Sequence, residues 1–165
     1  MKTLLIMRHA NAGWGNAKMS DHERPLNEQG LREAAEMGRI LIGADLTPQR
    51  LICSSAERAL VTAERVALAS GYAAEIEVTD RLYLAPPGAY IAYLNRLPQD
   101  VERVLIVGHN PGIGELAALL TGEGPAFPTA TLAQVALPLH TWSKLSQLTR
   151  GRLVNLWRPA HPSGE

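Results

Sequence analysis

Two histidines and two arginines in this chain stand where short apolar runs end. The run Leu4-Leu5-Ile6-Met7 leads into Arg8-His9, and Val104-Leu105-Ile106-Val107 leads into Gly108-His109-Asn110. A third run, Leu51-Ile52-Cys53, opens onto Ser54-x-x-x-Arg58-x-x-x-Thr62. Histidine can act as a covalent nucleophile, splitting a displacement at phosphorus into two easier steps. A guanidinium beside it grips phosphoryl oxygens in bidentate fashion. The four-residue spacing puts Ser54, Arg58 and Thr62 on one helical face, with Arg58 in the first turn, where free N–H groups and the dipole favour an anion. His109 sits beside another helix start and can donate to the same anion, with Asn110 as a further contact or simply a cap. Each group also has a plainer reading. Arg8 can be a surface arginine, His9 and His109 structurally satisfied imidazoles, and Arg58 the ion-pair partner of Glu57 or Glu64.

A second set lies between the first apolar run and the first helix. Asn11 follows His9 closely and is a candidate phosphate contact. In Ser20-Asp21-x-x-Arg24-Pro25-Leu26, Arg24 can ligate a phosphate and Asp21 can protonate a leaving group if the loop folds over the site. The same residues also suit an ordinary polar loop in which Pro25 sets up a helix. Trp14 either walls a pocket or anchors local packing. His22, His140 and His161 show no helical i, i+4 pairing with a glutamate, so no zinc-hydrolase pattern is present. The glycines near His109 (Gly108, Gly112, Gly114) are followed by no Gly-Lys-Ser/Thr, which excludes a phosphate-binding loop of the nucleotide type.

These residues need strands to deliver them. Residues 3–7, 50–54, 75–79, 103–107, 132–137 and 152–157 carry apolar or alternating strand patterns. Asn27 reads as an N-cap for a helix carrying Leu31, Ala34, Gly38 and Leu41. Ser54 or Ser55 caps one running to about Ser70, and Pro86 to Leu97 forms a third. Asn110 caps a fourth, with Pro111 in its first position and Gly122 at its end. Strands alternating with helices predict a three-layer α/β fold, a mostly parallel sheet with helices on both faces. Ligands bind such sheets beyond the carboxyl ends of the strands, where Arg8-His9, Ser54 to Arg58 and His109-Asn110 converge.

Bulk properties bound the rest. The chain has 165 residues, 46 % of them hydrophobic and 19 % charged, which suits one folded domain over residues 1–158 and a loose tail over 159–165. Lys plus Arg and Asp plus Glu both number 16, so no global field gathers nucleic acid or an anionic membrane. No apolar run reaches the roughly 18 residues a membrane span needs, and the amino terminus lacks a secretory pattern. Cys53 is the single cysteine, which allows no internal disulfide and fits a reducing, cytoplasmic setting. Its position at a strand end reads as buried and structural.

Taken in order, Arg8-His9-Ala10, Ser20-Asp21-x-x-Arg24-Pro25-Leu26, Ser54-x-x-x-Arg58-Ala59-x-x-Thr62 and Val107-Gly108-His109-Asn110-Pro111 resemble the histidine phosphatase superfamily, which has the phosphoglycerate mutase fold. Within it they resemble the small phosphohistidine phosphatases called SixA, over roughly residues 2–157. The resemblance implies that His9 accepts the phosphoryl group, that His109 flanks it, and that Arg8 and Arg58 complete the pocket, with no metal or organic cofactor. Many members carry a general-acid glutamate shortly after an Arg-Leu pair; here Tyr83, Leu84 and Ala85 follow Arg81-Leu82, leaving Asp21 as the substitute acid. The implied substrate is phosphohistidine on a protein, with inorganic phosphate as product. A small-molecule phosphomonoesterase and a non-catalytic phosphate-binding module are the alternatives.

Overall fold

The first strand, β1 (Lys2–Arg8), is apolar on both sides because it lies in the middle of a sheet covered on both faces. The computed structural model describes residues 1–160. After β1 come α1 (Glu28–Gly43), β2 (Arg50–Ser54), α2 (Glu57–Ser70), β3 (Ile76–Thr79), α3 (Pro87–Leu94), β4 (Arg103–Gly108), α4 (Gly112–Thr121), β5 (Leu132–Leu137) and β6 (Arg152–Trp157). The strands form one sheet in the order β3-β2-β4-β1-β5-β6. β3, β2, β4 and β1 run parallel; β5 is antiparallel to β1, and β6 to β5.

Side-chain alternation sorts the core into two layers. Leu4, Ile6, Ile52, Val104 and Ile106 face α3 and α4, meeting Tyr90, Leu94, Ile113 and Leu116. Leu5, Met7, Leu51, Cys53, Leu105 and Val107 face α1 and α2, meeting Met37, Leu41, Ala63 and Val66. Parallel pairing brings the carboxyl ends of β1, β2 and β4 to one edge of the sheet. The register sets Arg8 opposite Gly108 and Met7 opposite Val107, so His9 and His109 leave neighbouring strands side by side.

Helix boundaries show where local signals suffice. Asn27 caps α1 as expected, its side chain accepting from Gly30 N at 2.8 Å. Gly122 ends α4 in the left-handed conformation, φ 74°. The expected serine cap on α2 is absent: the helix begins after Ala56 with no side-chain cap, because Ser54 Oγ meets Ala56 N and His109 Nε2 and Ser55 Oγ meets His22 Nε2. Asn110 Oδ1 accepts from Gly114 N at 3.2 Å and Pro111 has helical dihedrals, although the regular helix begins at Gly112. The helix expected over 86–97 is shorter. Asn95 leaves it to donate to the Trp142 and Leu145 carbonyls. The tail is held further than expected: Pro159 is buried and Ala160 N donates to Glu36 at 3.0 Å. The remainder of that tail, His161 included, lies outside the described residues. Among those residues no helix is long and apolar enough to cross a membrane.

Candidate active site

Backbone hydrogen bonds pin His9 before its side chain does anything. Its N–H donates to Gly108 O and its carbonyl accepts from Ala130 N, both at 3.0 Å. Ala130 reaches that position with φ 62°, a costly conformation for a side chain with a Cβ. The next residue is clamped too, since Ala10 N donates to Thr62 Oγ1 at 3.0 Å and Thr62 Oγ1 donates to Arg58 O at 2.7 Å. Gly108 is glycine because a Cβ there would collide with the Tyr90 hydroxyl.

His9 Nδ1 lies 2.8 Å from the Ala10 carbonyl. A carbonyl only accepts, so Nδ1 carries the proton and Nε2 keeps its lone pair. The ring is 6 % exposed. Burial lowers its pKa to about 3, opposed by the Ala10 bond and reinforced by the charges of Arg8 and Arg58. His109 stands 5.3 Å away, centroid to centroid. Its Nε2 is 2.7 Å from Ser54 Oγ, and burial, then Arg58, lower its pKa to about 3 as well. Its Nδ1 is buried with no hydrogen-bond partner among the described residues. Both imidazoles are therefore neutral at pH 7.

The cavity around them, about 350 Å³, is lined by Arg8, Arg24, Arg58, Asp21 and Asn110 and walled by Trp14 and Leu84. Three guanidiniums against one carboxylate leave two positive charges, the complement of a phosphoryl dianion. Arg58 is 3 % exposed and donates through Nη1 to Asp21 O at 2.6 Å and through Nη2 to Asp21 Oδ2 at 2.9 Å. Arg8 Nη1 donates to Phe127 O at 3.3 Å. Arg24 pairs with Asp21 Oδ1 at 3.1 Å and lies 3.9 Å over the Trp14 ring.

Eight of the nine residues singled out for the site sit at this edge, in different capacities. His9, His109, Arg8, Arg58, Asp21, Arg24 and Asn110 line the cavity, with both ends of the Asn110 amide already engaged by Phe127 O and Gly114 N. Ser54 stands behind His109 and orients it. Asn11 lies elsewhere: its Oδ1 accepts from Asn27 Nδ2 and its N–H donates to Glu33 Oε1 at 3.1 Å, so it joins β1 to the start of α1.

Asp21 differs in chemistry from the proton donor expected of it. The Tyr83 hydroxyl, with Arg58 and Arg24, holds its carboxyl far below the usual carboxylate range. In this arrangement the carboxylate serves as an acceptor, taking hydrogen bonds from all three. Tyr83 was not singled out by the sequence. It donates to Asp21 Oδ2 and stands edge-on to His109 at 5.6 Å and to His22 at 4.9 Å. Only its place after Arg81-Leu82, where a glutamate is missing, marked the position. Cys53 is fully buried, and burial pushes its thiol up to about 12. Among the described residues no group of three or more His, Cys, Asp or Glu is placed to hold a metal ion.

The two buried imidazoles make stability depend on acid. Unfolded, each titrates near 6.5; folded, near 3. Between those values the unfolded chain binds more protons, so stability is complete above about 6.5 and falls as pH drops toward 3. At pH 5 each imidazole should cost about 2 kcal/mol. Urea denaturation at pH 7 and pH 5 checks this: the wild type should lose about 4 kcal/mol, and a His9→Gln, His109→Gln double variant should lose little.

The sequence profile of the histidine phosphatase superfamily (branch 1) matches residues 4–83. The phosphohistidine phosphatase SixA of Escherichia coli K12 is 35 % identical over 138 residues, covering 81 % of this chain and 84 % of that protein. An uncharacterised protein of Mycobacterium tuberculosis H37Rv is 36 % identical over 145 residues, covering 81 % of this chain and 89 % of that protein. A solved structure of the protein histidine phosphatase SixA complexed with tungstate superposes with a TM-score of 0.80 at 31 % identity, covering 95 % of this chain and 97 % of that one. With two histidines at adjacent strand ends and arginines around them, the chain belongs to the histidine phosphatase superfamily, in its SixA-like group.

Proposed function

We propose that this protein hydrolyses phosphohistidine on another protein, passing the phosphoryl group through His9. The observation that carries the reading is the state of His9: a buried, neutral imidazole whose Nδ1 is fixed by Ala10 O, leaving the Nε2 lone pair in a cavity with two net positive charges. Phosphoryl transfer asks for positioning and charge stabilisation more than for covalent help. Arg8 and Arg58 hold the dianion, with Arg24 at the mouth. His9 Nε2 attacks phosphorus, the bond to the leaving group breaks, and the leaving group takes the electron pair. Water then attacks the phosphorylated ring, releasing inorganic phosphate and restoring neutral His9. His109 supplies a donor to the phosphoryl oxygens through Nδ1 when Ser54 donates to its Nε2. The tungstate complex of a similar protein supports a tetrahedral oxyanion as the ligand.

The leaving group distinguishes substrates. An alkoxide needs a proton from a matched donor, a contribution on the order of a hundredfold or more. The only carboxyl lining the cavity among the described residues is the ionised Asp21. An imidazole leaves with far less assistance. Beside Arg24 and Asp21 the rim carries two exposed apolar side chains, Trp14 at 76 % and Leu84 at 56 %, which suits a substrate presented on a protein surface. The test is turnover on a phosphohistidine-bearing protein domain beside sugar and aryl phosphates. A kcat/KM about a hundredfold higher on phosphohistidine is expected; a preference for the esters would favour a small-molecule phosphomonoesterase.

A further inference from the structure

His9 lines the cavity and is 6 % exposed, so a leaving group in line with its attack departs toward solvent. There stands Asp21, its side chain 42 % exposed. Its carboxylate already accepts from Arg58 Nη2 and the Tyr83 hydroxyl on Oδ2 and from Arg24 Nη1 on Oδ1. A carboxylate offers about four lone-pair sites, so Oδ1 retains one. All three partners are donors, and they fix an acceptor on the solvent side of the cavity that His9 lines.

We propose that Asp21 accepts the distal ring N–H of the phosphorylated imidazole, keeps that ring protonated while the P–N bond breaks, and thereby selects phosphohistidine against phosphate esters. This rests on the reading of His9 as nucleophile and phosphohistidine as substrate. The balance is simple. The phosphorylated ring enters with a proton on its distal nitrogen and one positive charge. His9 Nε2 forms the new bond to phosphorus, and the old P–N electron pair returns to the ring, which departs as neutral imidazole. No proton is delivered in that step. Without the distal proton, the ring would have to leave as an anion. A departing alkoxide meets the same carboxylate as a like charge, so one group attracts the right leaving group and repels the wrong one. The charged or titratable groups facing Asp21 are Arg58 from α2, Arg24 from its own loop, Tyr83 beyond β3, His109 from β4 and the adjacent His22.

The pH dependence of kcat/KM decides the matter, measured for wild type and Asp21→Asn on a phosphohistidine protein and on p-nitrophenyl phosphate. An opposite charge at hydrogen-bond range holds a ring protonated to higher pH by about one unit or more. The variant should therefore lose about tenfold on phosphohistidine at pH 8 and much less at pH 6, its alkaline limb moving to lower pH. On p-nitrophenyl phosphate its KM should fall severalfold, since Arg58 and Arg24 no longer hold an internal carboxylate. Asp21→Glu should restore the alkaline limb, which separates lost charge from lost structure. Equal losses on both substrates, or a loss independent of pH, overturn the assignment of Asp21 alone. A wild type that turns over p-nitrophenyl phosphate but no phosphohistidine overturns the substrate reading and this proposal together.

Discussion

Replacing His9 with alanine should lower turnover on the order of 10⁴-fold or more, while phosphate or vanadate still binds within about tenfold of the wild type. The asymmetry follows from the division of labour in the cavity. On the proposed mechanism, affinity for the dianion comes from Arg8, Arg24 and Arg58, whose guanidiniums bond to Phe127 O and to Asp21. On that mechanism turnover requires the His9 Nε2 lone pair, and His109 is no substitute: its Nε2 is held by Ser54, and its ring is anchored to a different strand. Steady-state kinetics with calorimetric titration of phosphate read the two effects separately. Full activity in His9→Ala would remove the nucleophile assignment. A collapse of anion affinity along with turnover would show that the ring organises the cavity rather than attacking phosphorus.

Arg58→Ala should cost on the order of 10³-fold in kcat/KM, the scale of removing one preorganised donor from a charged transition state. Arg58 is almost wholly buried, and Asp21 grips it through both a backbone and a side-chain oxygen, so its guanidinium is set before substrate arrives. Its loss also leaves the Asp21 carboxylate with one fewer cation at the cavity mouth, which raises the electrostatic cost of admitting a dianion. Arg58→Lys should recover little, because an ammonium cannot reproduce two parallel donors in a rigid plane. The inhibition constant of phosphate and kcat/KM measured on the same variants check this. A loss under about tenfold would mean that Arg8 and Arg24 suffice to hold the phosphoryl group.

The positions of these groups were legible in the sequence to the extent that strand ends are. A run of apolar residues that stops at Arg8-His9 or at Gly108-His109 can only stop at the sheet's edge, and parallel pairing then brings the ends together. The antiparallel pair β5 and β6 covers residues 132–137 and 152–157, where apolar patterning marked strands. What was not legible depends on side chains finding partners far along the chain. Ser54 looks like a helix cap locally, but His109, 55 residues on, claims its hydroxyl. Asn11 follows His9 by two residues, yet Asn27 and Glu33 turn it into a brace for α1. The acidity of Asp21 could not be read from a loop sequence, since it is set by Tyr83, 62 residues away, together with Arg58 and Arg24. Pro159 looked like the start of a loose end, but Glu36 on α1 takes hold of the next residue's N–H.

Rapid quenching during turnover with a phosphoryl-labelled substrate tests the central claim most directly. A covalent intermediate on the His9 ring predicts label on the protein that survives alkali, is lost in acid, and is absent from His9→Ala. Label that survives acid, or product formed without any labelled protein on the turnover timescale, would contradict a phosphoryl group resting on an imidazole nitrogen.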